Sequence, residues 1–119
     1  MDIIKLKDKL SLIHNYWNPK IVGELNGQHI KLAKIKGEFI WHKHDDEDEM
    51  FLVLKGTLKI AFRDRTETIQ ENEIIIVPKG VEHKPIADEE VSIMLFEPST
   101  TINTGAIDNE FTRKNLESI

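Results

Sequence analysis

The stretch Gly37-Glu38-Phe39-Ile40-Trp41-His42-Lys43-His44-Asp45-Asp46-Glu47-Asp48-Glu49 carries three metal-ligating side chains within eight residues: His42, His44 and Glu49. On an extended chain, residues i and i+2 point to one face, about 6.6 Å apart along the strand, so the two imidazoles can converge on one ion. Glu49 lies five residues beyond His44, far enough for the chain to turn and bring a carboxylate back on the next strand. A fourth candidate follows in Pro78-Lys79-Gly80-Val81-Glu82-His83, where Pro and Gly shape a tight corner and His83 re-enters a strand just after it. Three imidazoles and one carboxylate form a borderline-to-hard donor set that suits one divalent ion, Fe, Mn, Ni, Zn or Co, and not Cu(I). An octahedral ion held this way keeps two positions open for water, substrate or dioxygen.

The surrounding chain reads as short strands. Ile21 to Leu25, Asn26-Gly27 and Gln28 to Lys36 predict a hairpin, because Asn-Gly supplies the two positive-φ positions of a type I′ turn. Met50 to Leu54 is a hydrophobic strand ending at Lys55-Gly56. From Thr57 to Arg63 the pattern alternates, with Leu58, Ile60 and Phe62 on one face. Thr66 to Ile69, a buried run Ile74-Ile75-Ile76-Val77, and Val91 to Phe96 complete the set. Leu6, Leu10 and Ile13 stand at helical spacing and predict a short N-terminal helix across a barrel mouth. Asp108 to Leu116 is expected to form a short C-terminal helix. Many short strands with Gly, Pro, Asn and Asp turns mean an all-β sandwich or barrel.

The 119 residues fit one domain, 1–119, with a barrel core over about 20–98. The net charge of −5 and the ungrouped arginines Arg63, Arg65 and Arg113 argue against nucleic acid as a partner. With no cysteine, thiolate ligands, disulfides and Cys nucleophiles are excluded. No apolar run reaches the ~20 residues needed to span a bilayer. Met1-Asp2-Ile3-Ile4-Lys5 leads into charge rather than an apolar h-region. The expectation is a cytoplasmic protein without a membrane partner.

The paired motifs resemble those of the cupin superfamily. The first is written G(X)5HXH(X)3–4E(X)6G; here Gly37, His42, His44, Glu49 and Gly56 match, with the leading gap one residue short. The second is written G(X)5PXG(X)2H(X)3N; Pro78, Gly80 and His83 match, while Asn72 stands for the leading Gly and Ala87 for the final Asn. The resemblance runs from about Leu32 to Pro98. It implies a double-stranded β-helix, or jelly-roll, barrel with one metal held by His42, His44, Glu49 and His83. The chain also looks like small stand-alone bacterial cupins that are likened to sugar-phosphate isomerases.

Other residues are weighed against simpler roles. Asp45 to Asp48 lacks the glycine and alternate-oxygen spacing of a calcium loop and reads as a solvated loop at the barrel mouth. His14 and His29 read as surface or packing residues. Phe51 and Val53 share a face with Glu49, so both are expected to line a substrate pocket. No arginine falls on the lumen strands, and Lys34, Lys55 and Lys84 are the cations available to a phosphosugar. Trp17, Trp41 and the N-terminal residues are expected to supply an apolar patch for a homodimer. Two functional classes stand open: a metal-dependent enzyme on a small molecule (isomerase, dioxygenase or lyase) and a non-catalytic binding or sensor module.

Overall fold

The computed structural model describes residues 1–119. One helix, α1 (Leu6–Leu10), precedes seven strands: β1 (Lys20–Leu25), β2 (Gln28–Glu38), β3 (Glu49–Lys55), β4 (Leu58–Phe62), β5 (Thr66–Ile69), β6 (Ile74–Val77) and β7 (His83–Pro98). All strand pairs are antiparallel. One layer runs β1-β2-β7-β3-β6, while β4 joins β5 to the first part of β7. This is the all-β jelly roll that the motifs imply.

β7 is the hinge of the barrel. Its second half pairs with β2 and β3, and its first half pairs with the end of β2 and with β4. Ile35 pairs with Val91 but Gly37 with Ala87, so Asp88, Glu89 and Glu90 bulge out between the two halves. That exposed acidic bulge, with Pro85 before it, hides the first half of β7 from a hydrophobicity reading, which finds only Val91 to Phe96. The predicted hairpin turn is present, with Asn26 at φ 50° and Gly27 at φ 77°. Asn72, in place of the motif glycine, adopts φ 66°, a left-handed conformation that Asn tolerates better than most residues.

Two apolar clusters follow from the alternation. Ala33, Ile35, Phe51, Val53, Leu58, Ile60, Val91, Ile93 and Leu95 fill the barrel lumen. On the opposite face, Leu32 and Val22 receive Ile13, Leu6 and Leu10. The N-terminal segment therefore lies on the outer face of the sheet, not across the mouth, because its apolar side chains meet the outward residues of β1 and β2.

Three further expectations are corrected. Asp108 to Leu116 forms turns rather than a helix. Its side chains take over the backbone: Asn109 Oδ1 accepts from Phe111 N–H at 2.9 Å, and Asn103 Oδ1 accepts from Arg113 N–H at 2.9 Å, the competition that disfavours helix. The run Ile74–Val77 is not buried throughout; Ile74 and Ile76 are 56% and 59% exposed, as alternation on an edge strand requires. Trp17 supplies no outer patch; it turns inward and stacks on Phe39, ring centroids 4.8 Å apart.

Candidate metal centre

The link between β2 and β3 carries His42 and His44. It is extended rather than a full strand, and it is fixed at three points. His42 pairs with His83 in an isolated antiparallel bridge. Gly80 N–H donates to His44 O at 2.7 Å, and Lys79 N–H to Asp48 Oδ1 at 2.9 Å. The Pro78–Gly80 corner therefore holds the His42–Asp48 link from outside, while Glu49 begins β3 and His83 begins β7.

The four predicted ligands converge. Donor atoms of His42, His44, Glu49 and His83 all lie within 4.8 Å of one another, and all four residues are buried. Donors about 2.1 Å from a shared ion are at most ~4.2 Å apart, and ~3.0 Å when at right angles. His83 Nε2 and His44 Nε2 lie 3.2 and 3.5 Å from Glu49 Oε1, so a contraction of a few tenths of an ångström completes a coordination sphere. The ring orientations agree. His42 Nδ1 lies 2.9 Å from Ile40 O, and His83 Nδ1 2.9 Å from Val81 O. A carbonyl only accepts, so both rings carry their proton on Nδ1 and turn a lone pair on Nε2 to the centre. His44 has no hydrogen-bond partner on either ring nitrogen, a deficit that a cation relieves. This cluster can hold a metal.

Charge is arranged to match. Burial, and then His83, lower the His42 pKa from 6.5 to about 4, so the ring is neutral and ligand-ready at pH 7. Burial alone would raise Glu49, but the His44 and His83 imidazoles, 3.5 and 3.2 Å from its Oε1, hold its carboxyl well below the usual range.

An apolar cavity of about 40 Å³ opens beside the cluster. His42 and Glu49 form its polar end, and Trp17, Phe39, Phe51, Ile93 and Leu95 form most of its wall. Phe51 lies where the alternation places it. Val53 shares that face but sits one pair deeper, fully buried in the core and outside the lining. Of the predicted cations, Lys34 is tied to Ile13 O at 3.1 Å and Lys84 to Glu38 at 2.6 Å, and Lys55 is exposed; none lines the cavity.

Several residues at the site escape the sequence reading. Lys31 and Glu97 are each 2% exposed and pair at 2.7 Å inside the barrel. Burial, and then the Glu49 charge, push the Glu97 carboxyl well above the usual range, against the pull of Lys31. The period-two run Lys31, Ala33, Ile35 held the signal that Lys31 faces inward. Trp17 and Asn103 enter the lining from segments flanking the barrel, with Phe111 packed behind Trp17 and Phe39, and no local pattern exists for them.

Sequence comparison agrees with this architecture. The cupin-domain profile matches residues 29–97. The chain belongs to the cupin family. A cupin-2 domain protein from Shewanella frigidimarina has a crystal structure similar to this one, with a TM-score of 0.80, 51% identity, and coverage of 81% of this chain and 94% of that one. The uncharacterized protein YdbB of Bacillus subtilis is 41% identical over 64 residues, 53% of this chain and 57% of that protein. A mannose-1-phosphate guanylyltransferase of Sinorhizobium fredii is 29% identical over 86 residues, 69% of this cupin but only 16% of the transferase. This cupin thus spans little more than half of one curated relative and a small part of the other. No helix is long and apolar enough to cross a membrane.

Proposed function

We propose that this cupin is a metal-dependent enzyme acting on a small molecule, with one divalent ion, Fe, Mn, Ni, Zn or Co, held by His42, His44, Glu49 and His83. The observation that carries the reading is that His42 and Glu49 belong both to the donor cluster and to the cavity wall, so a molecule in the cavity meets the ion directly. A bound ion supplies Lewis acidity or a site for dioxygen. The chain supplies the rest. Ile40 O and Val81 O fix the tautomers of His42 and His83, and the apolar wall excludes water. Isomerisation, oxygenation and lyase chemistry share these requirements, and a sugar-phosphate isomerase activity is the variant the lining supports least.

A second reading, a non-catalytic binding or sensor module, is favoured by one observation: beyond His42 and Glu49 the lining offers no free acid or base. Purification without chelators followed by metal analysis, then assays with Fe(II), Mn(II), Ni(II) and Zn(II) on a substrate panel, separates the two. Stoichiometric metal with turnover supports the enzyme. Metal without turnover on any substrate counts against the enzyme, and a ligand held in the cavity with metal absent under all conditions sinks the enzyme and favours the binding module.

A further inference from the structure

We propose that the cavity selects a short, uncharged, apolar molecule that reaches the ion through an oxygen-bearing head, with Trp17 and Phe39, backed by Phe111, as the wall that limits its size. This inference rests on the metal reading above and names the substrate class of the same site.

The polarity of the cavity sets the first limit. No lysine or arginine lines it. Lys31, the one lumen cation, is engaged by Glu97 at 2.7 Å. Asn103 lines the cavity but both ends of its amide are in use: Nδ2 donates to Phe111 O at 2.9 Å and Oδ1 accepts from Arg113 N–H at 2.9 Å. The Trp17 indole N–H is also spent, on Lys36 O at 2.9 Å, so Trp17 shows the cavity only its carbon surface. A phosphate dianion placed here would lose its hydration with nothing to replace it. Polar groups of a ligand have one place to go, the end formed by His42 and Glu49.

Size sets the second limit. The cavity measures about 40 Å³, against the roughly 150 Å³ of an engineered cavity that accepts benzene. The body that fits is a few carbons, smaller than a phenyl ring.

The wall responsible is built for the purpose. Trp17 stacks on Phe39 at 4.8 Å, and Phe111 packs on Phe39 at 5.2 Å and on Trp17 at 6.4 Å. Trp17 holds φ at 57°, a left-handed conformation that strains a bulky residue. Its backbone N–H to Lys34 O, 3.0 Å, and its indole N–H to Lys36 O maintain it there. Strain of this kind persists where surrounding contacts over-determine it, and here they hold an aromatic side chain in the cavity wall.

The test uses four probes on zinc-loaded protein, titrated calorimetrically with metal content measured in parallel. Acetohydroxamic, isobutyrohydroxamic and benzohydroxamic acids share one chelating head and differ only in body; mannose 6-phosphate adds a sugar and a phosphate. Isobutyrohydroxamic acid is expected to bind about tenfold more tightly than acetohydroxamic acid, from two further buried carbons. Benzohydroxamic acid should bind more weakly than isobutyrohydroxamic acid, and mannose 6-phosphate not measurably at millimolar concentration. Trp17→Ala, at a residue that lines the cavity, should reverse the order of the isobutyro and benzo probes; Trp17→Phe serves if that variant does not fold. Equal binding of the acetyl and isobutyryl probes, or tight binding of mannose 6-phosphate, with zinc present, overturns this proposal alone. Failure to hold zinc overturns it together with the metal reading.

Discussion

His42 and His83, forty-one residues apart, exchange both backbone hydrogen bonds: His42 N–H to His83 O at 3.0 Å and His83 N–H to His42 O at 2.9 Å. Their rings then stand with centroids 4.3 Å apart. The bridge fixes the spacing of two donors through the main chain, independent of side-chain identity. His83→Ala should therefore keep the bridge and the fold while removing one donor. The expected result is metal affinity lowered by at least the 10–100-fold seen for loss of outer-shell partners (on the order of), with an unchanged far-UV spectrum. Calorimetric titration with Zn(II) or Mn(II) reads it; an unaltered affinity removes His83 from the ligand set.

A pH dependence follows from His42. Its folded-state pKa, about 4, lies below the ordinary 6.5. The unfolded chain therefore binds a proton that the folded chain resists. Stability from this group is complete above about pH 6.5 and is lost as pH falls from there to about 4. The gap corresponds to about 3 kcal/mol. Urea denaturation of chelator-treated protein at pH 7.5 and pH 4.5 checks this, and His42→Phe should flatten that part of the profile.

The Lys31–Glu97 pair carries a prediction about stability. Breaking a fully buried pair leaves one partner without compensation and costs about 3–5 kcal/mol, whereas replacing both with apolar groups is often neutral or better. Lys31→Met alone should thus destabilise strongly at pH 8. The loss should shrink at lower pH, where a proton on Glu97 takes over from Lys31. The double variant Lys31→Met with Glu97→Leu should recover most of the loss. Denaturation midpoints for the single and double variants decide this, and additive losses would contradict it.

The contrast between residues explains what a linear reading reaches. His42, His44, Glu49 and His83 are legible because each sits beside a turn-forming or alternating pattern that fixes its direction. Strands β4, β5 and β6 are legible because turns bound them on both sides. The first half of β7 is not, since its identity depends on pairing with β4 and β2 across the barrel. Trp17 and Phe111 are ninety-four positions apart and meet only because the tail folds back, with Ile21 N–H donating to Glu117 O at 2.9 Å and Ile119 N–H to Ile21 O at 3.0 Å. Local periodicity carries no record of such a meeting. Val53 shows the converse: alternation gives the face of a side chain but not its depth.

Assembly offers another prediction. β6 lies at the end of its sheet and pairs only with β3, and it presents Ile74 and Ile76 to solvent. Apolar edge strands are rarely left open, so we expect a homodimer formed through this edge rather than through Trp17. Light scattering at micromolar concentration should give about twice the 13.8 kDa chain mass, and Ile74→Lys with Ile76→Lys should return the chain mass with the fold retained. A monomer before substitution overturns the expectation.

Gly56 and Gly37 separate two causes of glycine dependence. Both have positive φ, 93° and 86°, so alanine at either strains the backbone by about 1 kcal/mol or more. At Gly37 a Cβ would meet nothing within 4 Å, while at Gly56 it would lie 2.9 Å from Glu90 O and 3.2 Å from Val91 Cγ2. Glu90 and Val91 are the point where β7 leaves its acidic bulge and re-enters the core, so they cannot yield without moving β7 against β2 and β3. Gly56→Ala should therefore cost more than Gly37→Ala, by on the order of 1–3 kcal/mol for the overpacking. Thermal denaturation of the two metal-free variants gives the difference directly. Equal losses would mean that strain alone, and not the approach of β7, requires glycine at the end of the first motif.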